Sequence, residues 1–163
     1  TFCAITSKRI YGPFYFEDDK GNAVTVNKEN NRYMLEHSVI PTIGNVDEMW
    51  YQQDGALPHI AHEIIAYLKI IFGNRIISKN GNINWPSRSP DLSPLDFFLW
   101  GYLKDRVYRN KPEMIEDLKE NIETEIADIP RSMLKRVMNS FYDRVQQCRQ
   151  REGRLLDGVI FHS

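Results

Sequence analysis

The sequence predicts an α/β fold in which helices pack on a sheet. Three observations carry that expectation. Short runs of β-branched and aromatic residues crowd the first third, a strand–helix–strand pattern occupies the middle, and amphipathic helical stripes fill the rest. A chain of 163 residues, 42% of them hydrophobic, can bury one sizeable core and is short for two ordinary domains.

Residues 2–6 and 9–16 read as strands joined by a Ser7-Lys8 turn, with Gly12-Pro13 inside the second. The acidic patch Glu17-Asp18-Asp19 leads through Gly21-Asn22 to Val24-Thr25-Val26. Asn27 is placed to cap a helix that runs to about Val39 and stops before Pro41. Residues 49–53 form another short strand, ended by Asp54-Gly55. Ile60, Ile64, Leu68 and Ile71, at spacings of four, four and three, make one apolar stripe on a helix with Pro58 in its first turn. Gly73-Asn74 closes that helix, residues 75–77 read as a strand, and a polar loop containing Asn80-Gly81 runs to Trp85-Pro86. The next helix starts near Pro94 and carries Phe97, Phe98, Trp100 and Leu103. Pro112 opens another, with Ile115, Leu118, Ile122 and Ile126 in register. Pro130 opens the last, with Leu134, Val137, Met138, Phe141, Val145 and Cys148 on one side.

Composition narrows the function classes. The 21 Lys and Arg against 22 Asp and Glu leave a net charge of -1, so no strongly basic nucleic-acid binder is visible at whole-chain level. Charge is uneven, however. Between Arg75 and Lys111, seven basic residues (Arg75, Lys79, Arg88, Lys104, Arg106, Arg109, Lys111) stand against three acids (Asp91, Asp96, Asp105), a local +4 whose plainest reading is a solvated face. The longest unbroken apolar run, Ile64 to Leu68, is far short of the ~18 residues of a membrane span. Cys3 and Cys148 lack CxxC spacing, which argues against a disulfide scaffold and for reduced thiols.

Two carboxylates stand out by placement. Asp54 falls at the end of a predicted strand, where α/β sheets bind ligands, and Gly55 leaves room for close approach to the backbone. Asp96 falls in the first turn of a helix, whose N-terminus favours negative charge. Brought together, the two could hold a hard cation such as Mg²⁺ for phosphoryl transfer. Each also has a structural reading. Asp54 can be a turn residue, and Ser93-x-x-Asp96 is a capping-box pattern. Asp91 suits a loop-organising role beside the site. His59 can line the Asp54 pocket or serve the helix start, and His59 with His62 lacks the H-E-x-x-H order of zinc hydrolases. Trp85 can stack on a base or pack on Pro86, and Arg88 can meet a phosphate or stay solvated.

The string Gln52-Gln53-Asp54-Gly55-Ala56-Leu57-Pro58-His59 resembles the second-aspartate motif of mariner-type transposases of the DDE/DDD superfamily. The string from Trp85-Pro86-Ser87-Arg88 through Ser93-Pro94-Leu95-Asp96 to Phe97-Phe98-Leu99-Trp100-Gly101 resembles that family's third-carboxylate motif and the helix after it. The likeness extends to Gly12-Pro13-Phe14-Tyr15-Phe16, Arg32-Tyr33, Tyr102-Leu103-Lys104 and Val107-Tyr108.

The resemblance implies a ribonuclease-H-like mixed sheet with flanking helices, truncated at its amino end. One catalytic-domain fragment would span 1–163, strand-rich over 1–54 and helix-rich over 55–163. It implies metal-dependent DNA cleavage and strand transfer at transposon ends, with Asp54 and Asp96 as catalytic Mg²⁺ or Mn²⁺ ligands. Arg88, Lys79 and Lys104 would contact DNA, and His59 and Asp91 would support the pocket. Its partners would be transposon-end and target DNA, with a second copy as a further candidate, no membrane, no small-molecule cofactor and a nuclear location. The 41 residues between Asp54 and Asp96 exceed the commonest family spacing, and the 79–84 loop is a natural place for the extra length. The family's first catalytic Asp would lie on a strand upstream of Phe2, and the opening at Thr1 in a strand-like stretch is expected of a fragment. An alternative keeps the fold without the chemistry: an inactive remnant, or a module co-opted for DNA binding or dimerisation.

Overall fold

The computed structural model describes residues 1–85 and 89–150. They form two compact units, one of Thr1–Ala4 with residues 11–85, the other of Ile5–Ile10 with residues 89–150. The architecture is mixed α/β, with small sheets and many helices.

Strands β1 (Phe2–Ile5) and β2 (Ile10–Phe14) pair in a two-stranded sheet. Thr6 organises the turn between them. Its N–H and its hydroxyl both donate to the Arg9 carbonyl at 3.0 Å, and Oγ1 accepts from the Arg9 N–H at 3.2 Å. Gly12 has φ 104°, and a Cβ there would lie 2.9 Å from the Phe2 carbonyl oxygen, so the hairpin requires glycine at this position.

In the first unit, Asn27 caps α1 (Lys28–Met34) as the sequence predicts, accepting from the Asn30 N–H at 2.8 Å. The helix does not stop before Pro41. It continues through a π-helical stretch, Leu35–Val39, into α2 (Ile40–Ile43) and ends at Gly44, where φ is 75°. In the widened turn the Ile40 N–H reaches back to the Leu35 carbonyl, and Pro41, which has no N–H to place, enters without breaking the helix.

Strands β3 (Tyr51–Gln52) and β4 (Ile76–Ile77) pair in parallel, Tyr51 opposite Ile76 and Gln52 opposite Ile77. The Gln53 N–H extends the ladder to the Ile77 carbonyl at 3.0 Å. Their connection carries α3 (Leu57–Ile60) and α4 (His62–Phe72) where the sequence predicts one helix. The break is at Ala61, whose backbone is extended (φ -56°, ψ 142°). Two side chains account for it. Asn31 donates to the Pro58 carbonyl at 3.1 Å and Gln53 to the His59 carbonyl at 2.8 Å. Those are the oxygens that an unbroken helix would offer to His62 and Glu63. α4 buries Ile64, Leu68 and Phe72 in one core with Met34, Leu35, Val39, Tyr51 and Ile76, and Ile71 packs against that core, half-buried. Each such side chain contributes roughly 1.5–3 kcal/mol by leaving water. Beyond β4 the 79–84 loop folds back tightly, its Ile83 N–H meeting the Ile76 carbonyl at 3.0 Å.

In the second unit, a 3₁₀ turn at Pro90–Leu92 leads into a π-helical stretch, Leu95–Leu99, which continues as α5 (Trp100–Lys104). α6 (Ile115–Ala127) opens at Ile115, leaving Pro112 in the preceding loop, because the Asp117 carboxylate caps it by accepting from the Met114 N–H at 3.4 Å. Ile115 is exposed, so the stripe narrows to Leu118, Ile122 and Ile126. α7 (Arg131–Gln150) follows Pro130 directly, as expected. Asn121 ties α6 to the loop after α5, donating to the Val107 carbonyl and the Asn110 side-chain oxygen at 2.8 Å each.

Two members of the basic segment are structural. Arg75 donates to the Met49 carbonyl at 3.0 Å, and Arg106 stacks 3.8 Å from the Tyr102 ring centre and pairs with Glu125 at 3.6 Å. No described helix is long and apolar enough to cross a membrane.

Both cysteines are free thiols. Cys3 is buried, and burial pushes its thiol up to about 12, which leaves on the order of one thiolate in ten thousand at pH 8. Cys148 is partly exposed on α7. A disulfide reagent at pH 8 is therefore expected to titrate one thiol in the native chain, Cys148, and the second only on unfolding. Rapid native reaction of both would contradict this placement.

Candidate active site

Asp54 lies immediately beyond the carboxyl end of the parallel β3–β4 pair. Its Oδ1 accepts from the Ala56 N–H at 3.1 Å, the turn geometry that the sequence allows for it. The same oxygen lies 2.5 Å from His59 Nδ1. His59 therefore both belongs to the short helix α3 and touches the carboxylate. Its side chain is 22% exposed and that of Asp54 46%. The His59 hydrogen bond, helped by the Ala56 N–H and the His59 charge, holds the Asp54 carboxyl below its ordinary value against the opposing effect of burial. The group is ionised at neutral pH, and among the described residues the hydrogen bonds it accepts all fall on Oδ1.

The backbone around this pair is set by side chains that sequence reasoning passed over. Gln53 Nε2 donates to the His59 carbonyl and, at 3.0 Å, to the hydroxyl of Ser78, which is fully buried beside β4. Asn31 is 1% exposed and donates to the neighbouring Pro58 carbonyl. Together they hold the backbone of α3 up to its break at Ala61, and with it the position of His59. The only sequence signal for them was the adjacency of Gln53 to Asp54. Gly55 has no neighbouring atom within 4 Å of a built Cβ and is not in the left-handed region, so the fold itself does not demand glycine there.

Asp96 belongs to the second unit, on the exposed side of the π-helical stretch that precedes α5. The Ser93 N–H, which a capping-box carboxylate would satisfy, donates to the Pro90 carbonyl at 2.9 Å. Asp91 sits in the 3₁₀ turn, where its carbonyl accepts from Arg144 at 3.2 Å and its carboxylate lies 3.9 Å from the same nitrogen. Arg144 is 6% exposed and was not singled out from the sequence. Its signal was positional, since it follows Leu134, Val137 and Phe141 on the apolar stripe of α7.

Lys79 is exposed after β4 in the first unit, and Lys104 is exposed at the end of α5 in the second. Arg88 lies outside the described residues. Trp85 is buried, which favours its packing role over an open stacking platform. Asp54 suits a hard cation by donor chemistry, being ionised and half-exposed, and Mg²⁺ accepts one or two protein carboxylates with water and phosphate completing its shell. Among the described residues no group of three or more His, Cys, Asp and Glu side chains is gathered for a metal ion.

The Asp54–His59 pair has a pH signature. A carboxyl held low in the folded state stabilises the fold above its unfolded value of about 3.9, and that stabilisation is lost as pH falls through the folded value. His59→Ala is expected to move the Asp54 titration upward, read by carboxyl-carbon NMR, and to flatten the acid limb of Tm against pH. An unchanged Asp54 titration would contradict the pairing.

No family model matches this chain. It is 33% identical over 105 residues to the "Transposable element Tc3 transposase" of Caenorhabditis elegans, a match covering 63% of this chain and 30% of that protein. The chain thus spans about three tenths of the length of the relative it matches, and it is related to a transposase over nearly two thirds of its own length.

Proposed function

We propose that this chain is part of a single ribonuclease-H-like catalytic domain of a mariner-type transposase, acting on DNA at transposon ends by metal-dependent phosphoryl transfer. The observation that carries the reading is Asp54, an ionised, half-exposed carboxylate at the end of a parallel strand, within the string that resembles the second-aspartate motif. The similarity to the Tc3 transposase supports it independently of geometry.

In this reading Asp54 and Asp96 hold Mg²⁺ or Mn²⁺, together with a third carboxylate that the resemblance puts upstream of Phe2. The bound ions supply Lewis-acid polarisation and charge neutralisation at the scissile phosphate. The remaining work falls to this chain's own side chains. His59 fixes which oxygen of Asp54 faces the protein and leaves the other facing the substrate. Gln53 and Asn31 hold that arrangement through the backbone of α3. Gly55 leaves the backbone beside Asp54 open to a close approach by the substrate. Lys79, Lys104 and Arg88 contact the phosphate backbone, which positions DNA without reading its sequence. Little covalent chemistry is asked of the protein, so alignment and charge carry the rate.

The test is cleavage of element-end DNA by the protein extended upstream through the first carboxylate. Cleavage is expected to require Mg²⁺ or Mn²⁺ and to fall by about a hundredfold or more in Asp54→Ala and in Asp96→Ala, with circular dichroism unchanged. Activity retained in either variant would overturn the assignment. DNA binding without cleavage under any metal would favour the non-catalytic alternative.

A further inference from the structure

The second unit holds a buried arginine that the proposed chemistry does not use. Arg144, on α7, is 6% exposed, a rare placement for a residue that cannot shed its charge. Two of its partners, Asp91 and Phe97, flank Asp96. Nη1 donates to the Asp91 carbonyl at 3.2 Å and lies 3.9 Å from the Asp91 carboxylate. The guanidinium carbon lies 4.1 Å from the centre of the Phe97 ring, and Nε reaches the Ser140 hydroxyl at 3.4 Å. Asp91 lies in the 3₁₀ turn and Phe97 in the π-helical stretch, and Asp96 sits between these two anchor points, adjacent to Phe97. One planar side chain, brought from 53 residues away, therefore grips both sides of the segment that presents Asp96.

The chemistry suits arginine in particular. A flat guanidinium can stack on a ring with its face while donating from its edge, which a lysine ammonium cannot do. The Asp91 side chain is 42% exposed, so it is not a buried charge awaiting neutralisation. The arginine thus serves the backbone and the ring as much as the carboxylate. We propose that Arg144 is a positioning residue that sets the direction of the Asp96 carboxylate by clamping the turn before it and the ring after it. Its bearing on metal binding rests on the reading of Asp96 as a ligand given above.

The test uses the full chain, with Arg144→Met and Arg144→Lys, each alone and combined with Asp96→Ala. Amide hydrogen exchange reads the clamp and Mn²⁺ binding, followed by the spin resonance of free Mn²⁺, reads its consequence. In Arg144→Met, exchange over residues 90–99 is expected to quicken about tenfold or more while α6 stays at the wild-type rate. Mn²⁺ affinity is expected to fall about tenfold, the size of effect that groups orienting a ligand usually have. In the Asp96→Ala background, Arg144→Met is expected to change Mn²⁺ affinity no further, which a general loss of structure would not reproduce. Arg144→Lys keeps the charge and is expected to restore neither readout.

Three results would overturn the proposal: unchanged exchange over 90–99, equal quickening throughout the unit, or full rescue by lysine. A loss of Mn²⁺ affinity that is the same with and without Asp96 would do so as well. If Asp96→Ala alone leaves Mn²⁺ binding unchanged, the ligand reading fails, and the exchange arm still decides the clamp.

Discussion

The parallel pairing of β3 with β4 is the constraint on which the first unit depends. Two strands running the same way need a long crossover, and here the crossover is α3 and α4. Burial of Ile64, Leu68 and Phe72 holds α4 against the residues around the pair. Once that is fixed, the chain leaves β3 at a set point, and Asp54 is the first side chain past the Gln53 rung of the ladder. A carboxylate on a free loop would be mobile, whereas this one is tied to Ala56 and His59 from a strand end. The arrangement follows the general tendency of α/β sheets to bind ligands beyond the carboxyl ends of their strands.

In the second unit, polar side chains tie the helices to one another and to the turns between them. Arg106 joins α5 to α6, Asn121 joins α6 to the intervening loop, and Arg144 joins α7 to the turn that leads into the Asp96 helix. Each linkage is a polar group satisfied by backbone or by an opposite charge, as partly buried polar groups require. The π-helical stretch that carries Asp96 shifts the phase of the side chains that follow it, a local irregularity often found where function constrains a helix.

Much of this was legible in the sequence, because the signals were local. Asn27 as a cap, Gly73 as a stop, Pro130 as a start and the strand–helix–strand unit all follow from single residues or short periodicities. What escaped was set by partners distant in sequence. The break at Ala61 depends on Asn31 and Gln53 taking two carbonyls, and no pattern within 57–73 encodes that competition. The passage through Pro41 depends on a widened turn that periodicity does not report. At the site, Asp54 and its turn role were readable from Asp54-Gly55, and the Asp54–His59 contact was within reach of their five-residue spacing. Arg144 was hidden because a charged residue on an apolar stripe reads as an interruption until its partners are seen.

The proposed function requires that Asp54 and Asp96 serve one metal site. The most direct measurement is paramagnetic broadening of their side-chain carboxyl carbon signals as Mn²⁺ is added to the intact chain. The account predicts that both signals broaden over the same range of Mn²⁺ concentration, and that Asp54→Asn removes the effect at Asp96. Broadening at only one of them, or at Asp96 unchanged by loss of the Asp54 charge, would show two independent carboxylates and contradict a shared site.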